Sequence, residues 1–356
     1  MSLLASLLLT LFFIIIFISS SAPVQDRYIH IPSHFLVDAV IPATGDAGPS
    51  ATPAPIAGPL PDLPSSPLAP ALFVIGDSTV DCGTNNYLGT IARADRPPYG
   101  RDFDTHRPTG RFSNGRVIID FLEWDSAERL GLPFVPPYLG RTGRIEDMIH
   151  GLNYASAASG ILFSSGSDLG QHISLTQQIQ QLMDTFQQLE MDLGVPTAAD
   201  FISSFCLSPV MSVNGLKKLY DKNVRKVVLM GIAPMAAPHT TLCIMAVRMM
   251  KLNHELSEAR IIFCDAFNGS MEILANRNLY GFQTTTEACC GLGKYRGFVM
   301  CLMPEMACSN ASTYVWWDEF HPTDVVNRIL ANNVWSSEHS DMCHPMNLLE
   351  MIRLDH

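Results

Sequence analysis

Hydrophobic residues form three short, continuous runs in the chain, and each run has the length of one strand. The three runs are Ala71–Ile75, Lys226–Met230 and Arg260–Cys264. A strand that is apolar throughout, rather than at every second position, is buried on both faces. Such burial is typical of a parallel sheet with helices on each side, so the pattern predicts three parallel strands.

Helix-compatible stretches lie between these runs, and the clearest cover residues 175–193 and 245–259. Alternating strands and helices predict an α/β sandwich, in which chemistry lies at the carboxyl ends of the strands. The first run ends there in Gly76-Asp77-Ser78. The glycine permits a sharp turn that lifts Ser78 out of the sheet edge. Alone, the triplet is also compatible with a turn in which a polar side chain caps a helix.

The N-terminal 70 residues lack the alternating strand and helix pattern of the rest of the chain. Residues 3–18 are apolar and uncharged, and the small residues 19–22 follow them. A transmembrane helix needs about 20 apolar residues, so residues 1–22 are predicted to be a signal peptide, with a short membrane anchor as the alternative. Residues 23–70 become rich in Pro, Ala, Gly and Ser from Pro42 onward. This composition predicts a disordered linker because it buries too little apolar surface.

The remaining sequence is expected to form one folded domain at 71–346 and a C-terminal tail at 347–356. The chain has 356 residues, of which 47% are hydrophobic, which is enough for one large core. Its net charge of -11 and its lack of basic tracts argue against a nucleic-acid partner. No glycine-rich phosphate loop occurs and the histidines are scattered, so we expect neither a cofactor nor a metal. The oligomeric state stays open.

Nine cysteines are present, so at least one is unpaired if the others form disulfides. Cys289, Cys290, Cys301 and Cys308 lie close together in the sequence. No histidine interleaves with them, so disulfides are favoured over zinc, in keeping with a secreted protein. Asn268-Gly-Ser and Asn310-Ala-Ser are candidate glycosylation sites, which also fits secretion.

A serine nucleophile needs a histidine base, and that base needs a carboxylate to orient it. Aspartate and histidine three residues apart lie on one side of a turn or helix and can meet. Three pairs have this spacing: Asp147/His150, Asp318/His321 and Asp341/His344. Spacing alone does not choose among them.

Longer motifs do choose. The segments FVIGDSTVDCGTNNYL, RPPYGRDF and PTGRFSNGRVIIDFL, between Phe73 and Leu122, resemble the first block of the plant GDSL esterase/lipases, a branch of the SGNH hydrolases. The resemblance resumes at residues 151–161, 224–229 and 262–346. It implies a flavodoxin-like three-layer α/β/α sandwich with a mostly parallel sheet.

The resemblance also implies a function. It implies a serine hydrolase that cleaves carboxylic esters or lipids through an acyl-enzyme. Together with the predicted signal peptide, it leads us to expect a secreted, extracellular protein, with the cell wall as one candidate location. Residues 316–323 resemble the family's final block, which assigns His321 as the base and Asp318 as its partner. The backbone of Ser78, Gly160 and an asparagine of a third block are then expected to bind the oxyanion.

That third block, Gly-x-Asn-Asp, is absent from the region where it belongs, between Asp200 and Tyr220. We therefore expect the sheet to lack one central strand and the oxyanion site to lack one donor. Loss of one such donor typically lowers turnover about 100- to 1000-fold. The alternatives are a catalytically impaired or inactive protein of this fold, acting as a binding module, and an incomplete gene model.

Overall fold

The computed structural model describes most of the chain beyond the predicted linker. Described are residues 67–123, 129–160, 164–203, 205–208, 213–231 and 251–354. The predicted signal peptide, most of the predicted linker and part of the predicted helix at 245–259 lie outside the described residues. All of the described residues belong to one compact unit, which spans Gly58–His356.

Seven strands are present in the described part of the chain. They are β1 (Leu72–Val74), β2 (Phe205–Ser208), β3 (Lys226–Met230), β4 (Arg260–Cys264), β5 (Thr284–Ala288), β6 (Tyr314–Trp316) and β7 (Cys343–His344). Five of them form one sheet in the order β1-β2-β3-β4-β7. Strands β1 to β4 run parallel, whereas β7 pairs antiparallel with β4. Strands β5 and β6 form a separate parallel pair. The fold is therefore mixed α/β with a mostly parallel sheet.

Besides a helical stretch at residues 251–255, which lies within the predicted helix 245–259, seven α-helices accompany these strands in the described residues. They are α1 (Ile118–Glu123), α2 (Leu175–Leu193), α3 (Val195–Ile202), α4 (Val213–Asp221), α5 (Ala266–Ala275), α6 (Asp324–Ser336) and α7 (Leu348–Arg353). The helix predicted over 175–193 is confirmed with the same limits. Ser174 and Gln177 form a capping box that satisfies the first free N–H groups of α2, which explains why the helix begins there.

The three strands predicted from the apolar runs are confirmed as β1, β3 and β4, but the expectation of a missing central strand is wrong. Strand β2 pairs with β1 on one side and with β3 on the other. It is only four residues long, Phe205-Cys-Leu-Ser208, which is too short to stand out by periodicity. Its presence satisfies the backbone groups that would otherwise be unpaired at the edge of β1.

The opposite edge of β1 is paired as well, by the chain at residues 150–154. The N–H groups of Leu72 and Val74 donate to the carbonyls of His150 and Leu152, each at 3.0 Å. Gly151 adopts a φ of +103°, and a Cβ there would lie 1.8 Å from the carbonyl oxygen of Leu72. Only glycine fits so close to the strand. The strand that precedes Ser78 is thus held on both sides.

Alternate residues of the sheet pack into two separate hydrophobic clusters. Leu72 and Val74 join a cluster that includes buried residues of α1, α5, α6 and α7. Ala71, Phe73 and Ile75 join another cluster, with buried residues of α2, α3 and α4. Because apolar side chains leave β1 on both faces, its sequence is apolar throughout, as the pattern indicated.

The disulfide prediction is confirmed for all four clustered cysteines. Cys289 bonds to Cys308, and Cys290 bonds to Cys301. A further disulfide, Cys264–Cys343, joins β4 to β7. Cys82 is free and buried, in agreement with at least one unpaired cysteine. Within the described ranges, no helix is long and apolar enough to cross a membrane.

Candidate active site

Ser78 lies just beyond β1, in a turn whose first residue is firmly anchored. Gln178 of α2 is fully buried and contacts Gly76 twice. Its Oε1 accepts a hydrogen bond from the Gly76 N–H at 2.8 Å, and its Nε2 donates to the Gly76 carbonyl at 2.9 Å. The Gly76 carbonyl also accepts from the N–H of Ser156 at 3.1 Å. The end of β1 is therefore held in place just before the nucleophile candidate.

Asp81 fixes the chain on the other side of Ser78. Its carboxylate accepts hydrogen bonds from the N–H groups of Gly83, Thr84 and Ala157, at 2.7 to 3.0 Å. Full burial raises the pKa of Asp81 to about 6, although these backbone donors oppose the rise. The contact with Ala157 ties the loop after Ser78 to the segment that contains Gly160.

A continuous chain of hydrogen bonds joins Ser78 to His321 and Asp318. Ser78 Oγ lies 2.8 Å from His321 Nε2, and His321 Nδ1 lies 2.7 Å and 2.9 Å from the two carboxylate oxygens of Asp318. A carboxylate only accepts, so Nδ1 carries the hydrogen and Nε2 of the neutral ring is left to accept from Ser78. This is the tautomer that removes a proton from a serine hydroxyl.

Electrostatics reinforce this arrangement. Burial alone would raise the pKa of Asp318, but the charge and the hydrogen bond of His321 outweigh it and hold that pKa below its usual value. Burial would likewise lower the pKa of His321, but the charge and the hydrogen bond of Asp318 raise it overall. Asp318 therefore remains ionised beside the ring, and a protonated His321 is stabilised once it forms.

Tyr99 is a further neighbour of this site, to which the sequence alone gives no role. Its hydroxyl donates a hydrogen bond to Asp318 Oδ2 at 2.8 Å. Its ring is buried and makes edge contacts with Phe112 and Trp317 at centroid distances of 6.0 and 6.1 Å. Phe112 in turn packs on the His321 ring at 4.9 Å. The only sequence signal for Tyr99 was its place in the quoted segment RPPYGRDF.

The other two Asp/His pairs do not form such a relay. Asp147 accepts hydrogen bonds from Thr142, through its N–H at 2.7 Å and its hydroxyl at 2.5 Å. Asp341 and His344 are both exposed at the surface. Among the three pairs, the structure places only Asp318/His321 against Ser78.

The predicted oxyanion donor Gly160 follows a residue that contacts the turn of Ser78. Ser159 Oγ donates to the Gly76 carbonyl at 2.8 Å, so the residue before Gly160 is attached to the turn that carries Ser78. Residues 209–212, which follow β2 where the third block belongs, lie outside the described residues. Asn214, the nearest asparagine beyond them, is exposed in the first turn of α4.

Both glycosylation candidates are exposed. Asn268 lies in the first turn of α5, where its amide donates to Asp265 at 2.8 Å. Asn310 precedes a short 3-10 turn, Ala311–Thr313, and caps it by accepting from the Ser312 N–H at 3.1 Å.

In the part of the chain that the structure describes, no group of three or more histidine, cysteine or acidic residues is arranged to hold a metal ion.

Comparison with known proteins agrees with the motifs. A GDSL esterase/lipase of Arabidopsis thaliana is 33% identical over 343 residues, covering 80% of this chain and 88% of that protein. GDSL esterase/lipase 7 of the same plant is 33% identical over 346 residues, covering 81% and 93%. GDSL esterase/lipase LTL1, also from Arabidopsis thaliana, is 32% identical over 343 residues, covering 80% and 91%. A scan against protein-family models finds no match.

Proposed function

Because this chain belongs to the plant GDSL esterase/lipase family and is a carboxylic ester hydrolase, we propose that Ser78, His321 and Asp318 are its catalytic triad. The observation that carries the proposal is the hydrogen-bond chain from Ser78 Oγ through the His321 ring to Asp318. Ser78 also lies at the carboxyl end of a central parallel strand, where α/β folds place their chemistry.

The proposed reaction has two halves. Ser78 Oγ attacks the ester carbonyl carbon while its proton passes to His321 Nε2, and Asp318 stabilises the imidazolium. Collapse of the tetrahedral intermediate breaks the bond to the alcohol oxygen, which takes the proton from His321. Water then attacks the acyl-enzyme, gives its proton to His321 and releases the acid, with the same proton returning to Ser78.

We assign the oxyanion site to the backbone N–H groups of Ser78 and Gly160. The attachment of the 156–160 segment to the Gly76 carbonyl supports this pairing, because it keeps Gly160 near the nucleophile turn. The Gly-x-Asn-Asp block is absent from the sequence, so turnover should fall below that of a member with the third donor, by about 100- to 1000-fold.

The strand order supports the finer assignment of a flavodoxin-like three-layer sandwich. If the paired segment at 150–154 is counted as the second strand in the chain, the parallel strands lie in the order 2-1-3-4-5. That order is the one found in flavodoxin-like folds. The two hydrophobic clusters, each including helices, account for the outer layers.

We further propose that the mature protein is secreted and extracellular, acting on small-molecule esters or lipids. Three disulfides among the described residues support an oxidising compartment. The signal peptide, the linker at 23–70 and glycan attachment at Asn268 and Asn310 complete this proposal. The predicted domain boundary at 346 is too early, because α7 packs into the core that contains β1. The intact hydrogen-bond chain favours the hydrolase over a binding module of the same fold.

Active-site labelling tests the function directly. The purified mature protein, shown to unfold cooperatively, is treated with a fluorophosphonate, and the modified peptide is mapped by mass spectrometry. We expect the adduct on Ser78 and none in Ser78→Ala. A folded protein that carries no adduct on Ser78 would remove the proposed role.

A further inference from the structure

The contacts of Gln178 extend beyond the nucleophile turn. Besides its two hydrogen bonds to Gly76, its Nε2 donates to Ser159 Oγ at 3.2 Å and to the Ile173 carbonyl at 2.7 Å. The side chain is 0% exposed, and a buried amide is costly unless its polar atoms are hydrogen-bonded. Here both atoms are. Gln178 therefore joins three segments: the end of β1, the residues before Gly160 and the chain that leads into α2.

Ser159 completes a connection between the nucleophile turn and Gly160. Its hydroxyl accepts from Gln178 Nε2 and donates to the Gly76 carbonyl oxygen at 2.8 Å. Gln178 Nε2 donates to that same oxygen, so the three polar groups form a closed triangle of hydrogen bonds. Ser78 follows Gly76 by two residues, and Gly160 follows Ser159 by one. Opening the triangle would thus let one proposed oxyanion donor move relative to the other.

Helix α2 gives Gln178 a fixed position. Its backbone N–H donates to the Ser174 carbonyl at 2.9 Å, beside the capping box that Ser174 forms with Gln177. Two turns further on, the Phe186 ring makes an edge contact with Phe73 of β1 at a centroid distance of 5.1 Å. The helix is therefore anchored at its start and packed against the strand that leads to Ser78. Such support is what a side chain needs in order to hold a site in place.

Other contacts join the same two segments without Gln178. The carboxylate of Asp81 accepts a hydrogen bond from the Ala157 N–H at 3.0 Å. That contact ends three residues before Gly160, whereas the contacts of Gln178 reach Ser159. Loss of the Gln178 side chain should therefore leave the segments attached and affect mainly the residues next to Gly160.

We propose that Gln178 is a positioning residue that sets the distance between the two oxyanion donors, the N–H groups of Ser78 and Gly160. It acts through Gly76 and Ser159, not on the substrate. Donors of this kind work only within about 2.7 to 3.1 Å of the developing charge. The asparagine of the third block is absent from the sequence, so the spacing of the two backbone donors gains in importance. The inference rests on the proposed function and adds a residue to it.

Two substrates separate this role from other losses of activity. p-Nitrophenyl butyrate develops negative charge on its carbonyl oxygen, whereas its thiono analogue, with sulfur in that place, develops the charge on sulfur. Sulfur is a weak hydrogen-bond acceptor, so the oxyanion donors favour the oxygen ester. The measured quantity is the oxygen-to-sulfur ratio of kcat/KM for the full mature protein. A displaced nucleophile or a partly unfolded protein lowers both rates and keeps their ratio.

Gln178→Met keeps the length of the side chain and removes its hydrogen bonds. We expect kcat/KM for the oxygen ester to fall about ten- to hundredfold, because a displacement of about 1 Å at a catalytic site costs about 100-fold. The oxygen-to-sulfur ratio should fall about three- to tenfold, because the donors are displaced and not lost. Cooperative thermal unfolding shows that the variant is folded.

Ser159→Ala opens the same triangle at another corner and is an independent second variant. It should lower the ratio in the same direction, and it tests the proposal by itself if Gln178→Met does not fold. The double variant should fall little further than the lower of the two single variants, because both changes break one connection.

Thr185→Val is the matched control on the same helix. Thr185 is buried, and its hydroxyl accepts from the Tyr154 hydroxyl at 2.8 Å and donates to the Gln181 carbonyl at 3.0 Å. Its removal also breaks buried hydrogen bonds of α2, but at a distance of seven residues from Gln178. We expect a lower melting temperature and an unchanged oxygen-to-sulfur ratio.

The remaining outcomes overturn either this inference or the proposed function. An unchanged ratio in folded Gln178→Met and Ser159→Ala, with the fluorophosphonate adduct still on Ser78, would refute the positioning role and leave the proposed function standing. An equal fall of the ratio in Thr185→Val would also refute it, since any weakening of α2 would then suffice. No hydrolysis by the unsubstituted protein, together with no adduct on Ser78, would instead refute the proposed function.

Discussion

The two halves of the candidate active site differ in how completely their contacts are built. On one side, Asp318 accepts hydrogen bonds from the His321 ring, from two backbone N–H groups and from Tyr99. Both oxygens of its carboxylate therefore have hydrogen-bond donors. On the other side, Gly160 is attached through one neighbour, and the motif that would supply an asparagine is absent. The proposed nucleophile and base are thus fully hydrogen-bonded, whereas the proposed oxyanion site has one donor fewer than the family resemblance implies.

The largest expected effect on activity concerns the hydrogen-bonded side of the site, Ser78, His321 and Asp318. Ser78→Ala removes the proposed nucleophile, and we expect hydrolysis of p-nitrophenyl butyrate to fall about 1000-fold or more. The half-buried hydroxyl makes its hydrogen bond only to His321 among the described residues, so the melting temperature should change little. Initial rates and a thermal melt measure both. Retained activity would place the nucleophile elsewhere.

The next largest effect on activity concerns the proposed oxyanion site. Replacing residues 209–212 by Gly-Gly-Asn-Asp restores the third block directly after β2. We expect kcat to rise about 100-fold, the typical worth of one oxyanion donor. The same replacement with alanine in place of the asparagine is the control, and it should give no rise. Equal rates for the two chains would show that this segment does not reach the oxyanion.

A smaller effect is expected from Tyr99→Phe, which removes one hydroxyl and keeps the ring contacts. Loss of a hydrogen bond to a carboxylate should lower kcat/KM about tenfold. More negative charge is then left on Asp318 to stabilise the imidazolium, so the acid limb of the pH–rate profile should move to higher pH. A purely structural role would lower activity without moving that limb.

Tyr154→Phe is the matched control for this substitution. Tyr154 is also buried, and its hydroxyl donates a hydrogen bond to Thr185 at 2.8 Å, the same length as the bond from Tyr99 to Asp318. It belongs to the cluster that packs against α2. Its removal should cost stability of about 1 kcal/mol and leave the pH profile in place.

The last prediction concerns the pH–rate profile of the unsubstituted protein, and in particular the position of its acid limb. His321 accepts the serine proton only when neutral, and its pKa lies above 6.5 because Asp318 stabilises the charged ring against burial. Activity should therefore decline as the pH falls through a value above 6.5. The same shift contributes stability that is fully present below 6.5 and is lost as the pH rises through the folded pKa. A profile with its acid limb below 6.5 would contradict this assignment.

The sequence predicted helices and strands best where a long apolar run or a helical pattern marks the element. The apolar runs of β3 and β4 and the helix over 175–193 appear with the limits that their patterns indicated. Strand β2 was missed because four residues without a motif carry no periodic signal, and only pairing with β1 and β3 makes them a strand. Gln178 was missed for a similar reason, since a glutamine in an amphipathic helix is ordinary until its contacts with Gly76 are seen.

The resemblance to the family at residues 73–122 and 316–323 predicted Ser78, Asp318 and His321 as site residues, because those motifs are local in the sequence. Spacing could not choose among three Asp/His pairs, since it says nothing about where Ser78 lies. Only the tertiary structure brings residues 78 and 321 within 2.8 Å and adds Tyr99 to Asp318. Contacts between residues so far apart in the chain depend on strand order and helix packing, and no local pattern encodes those distances.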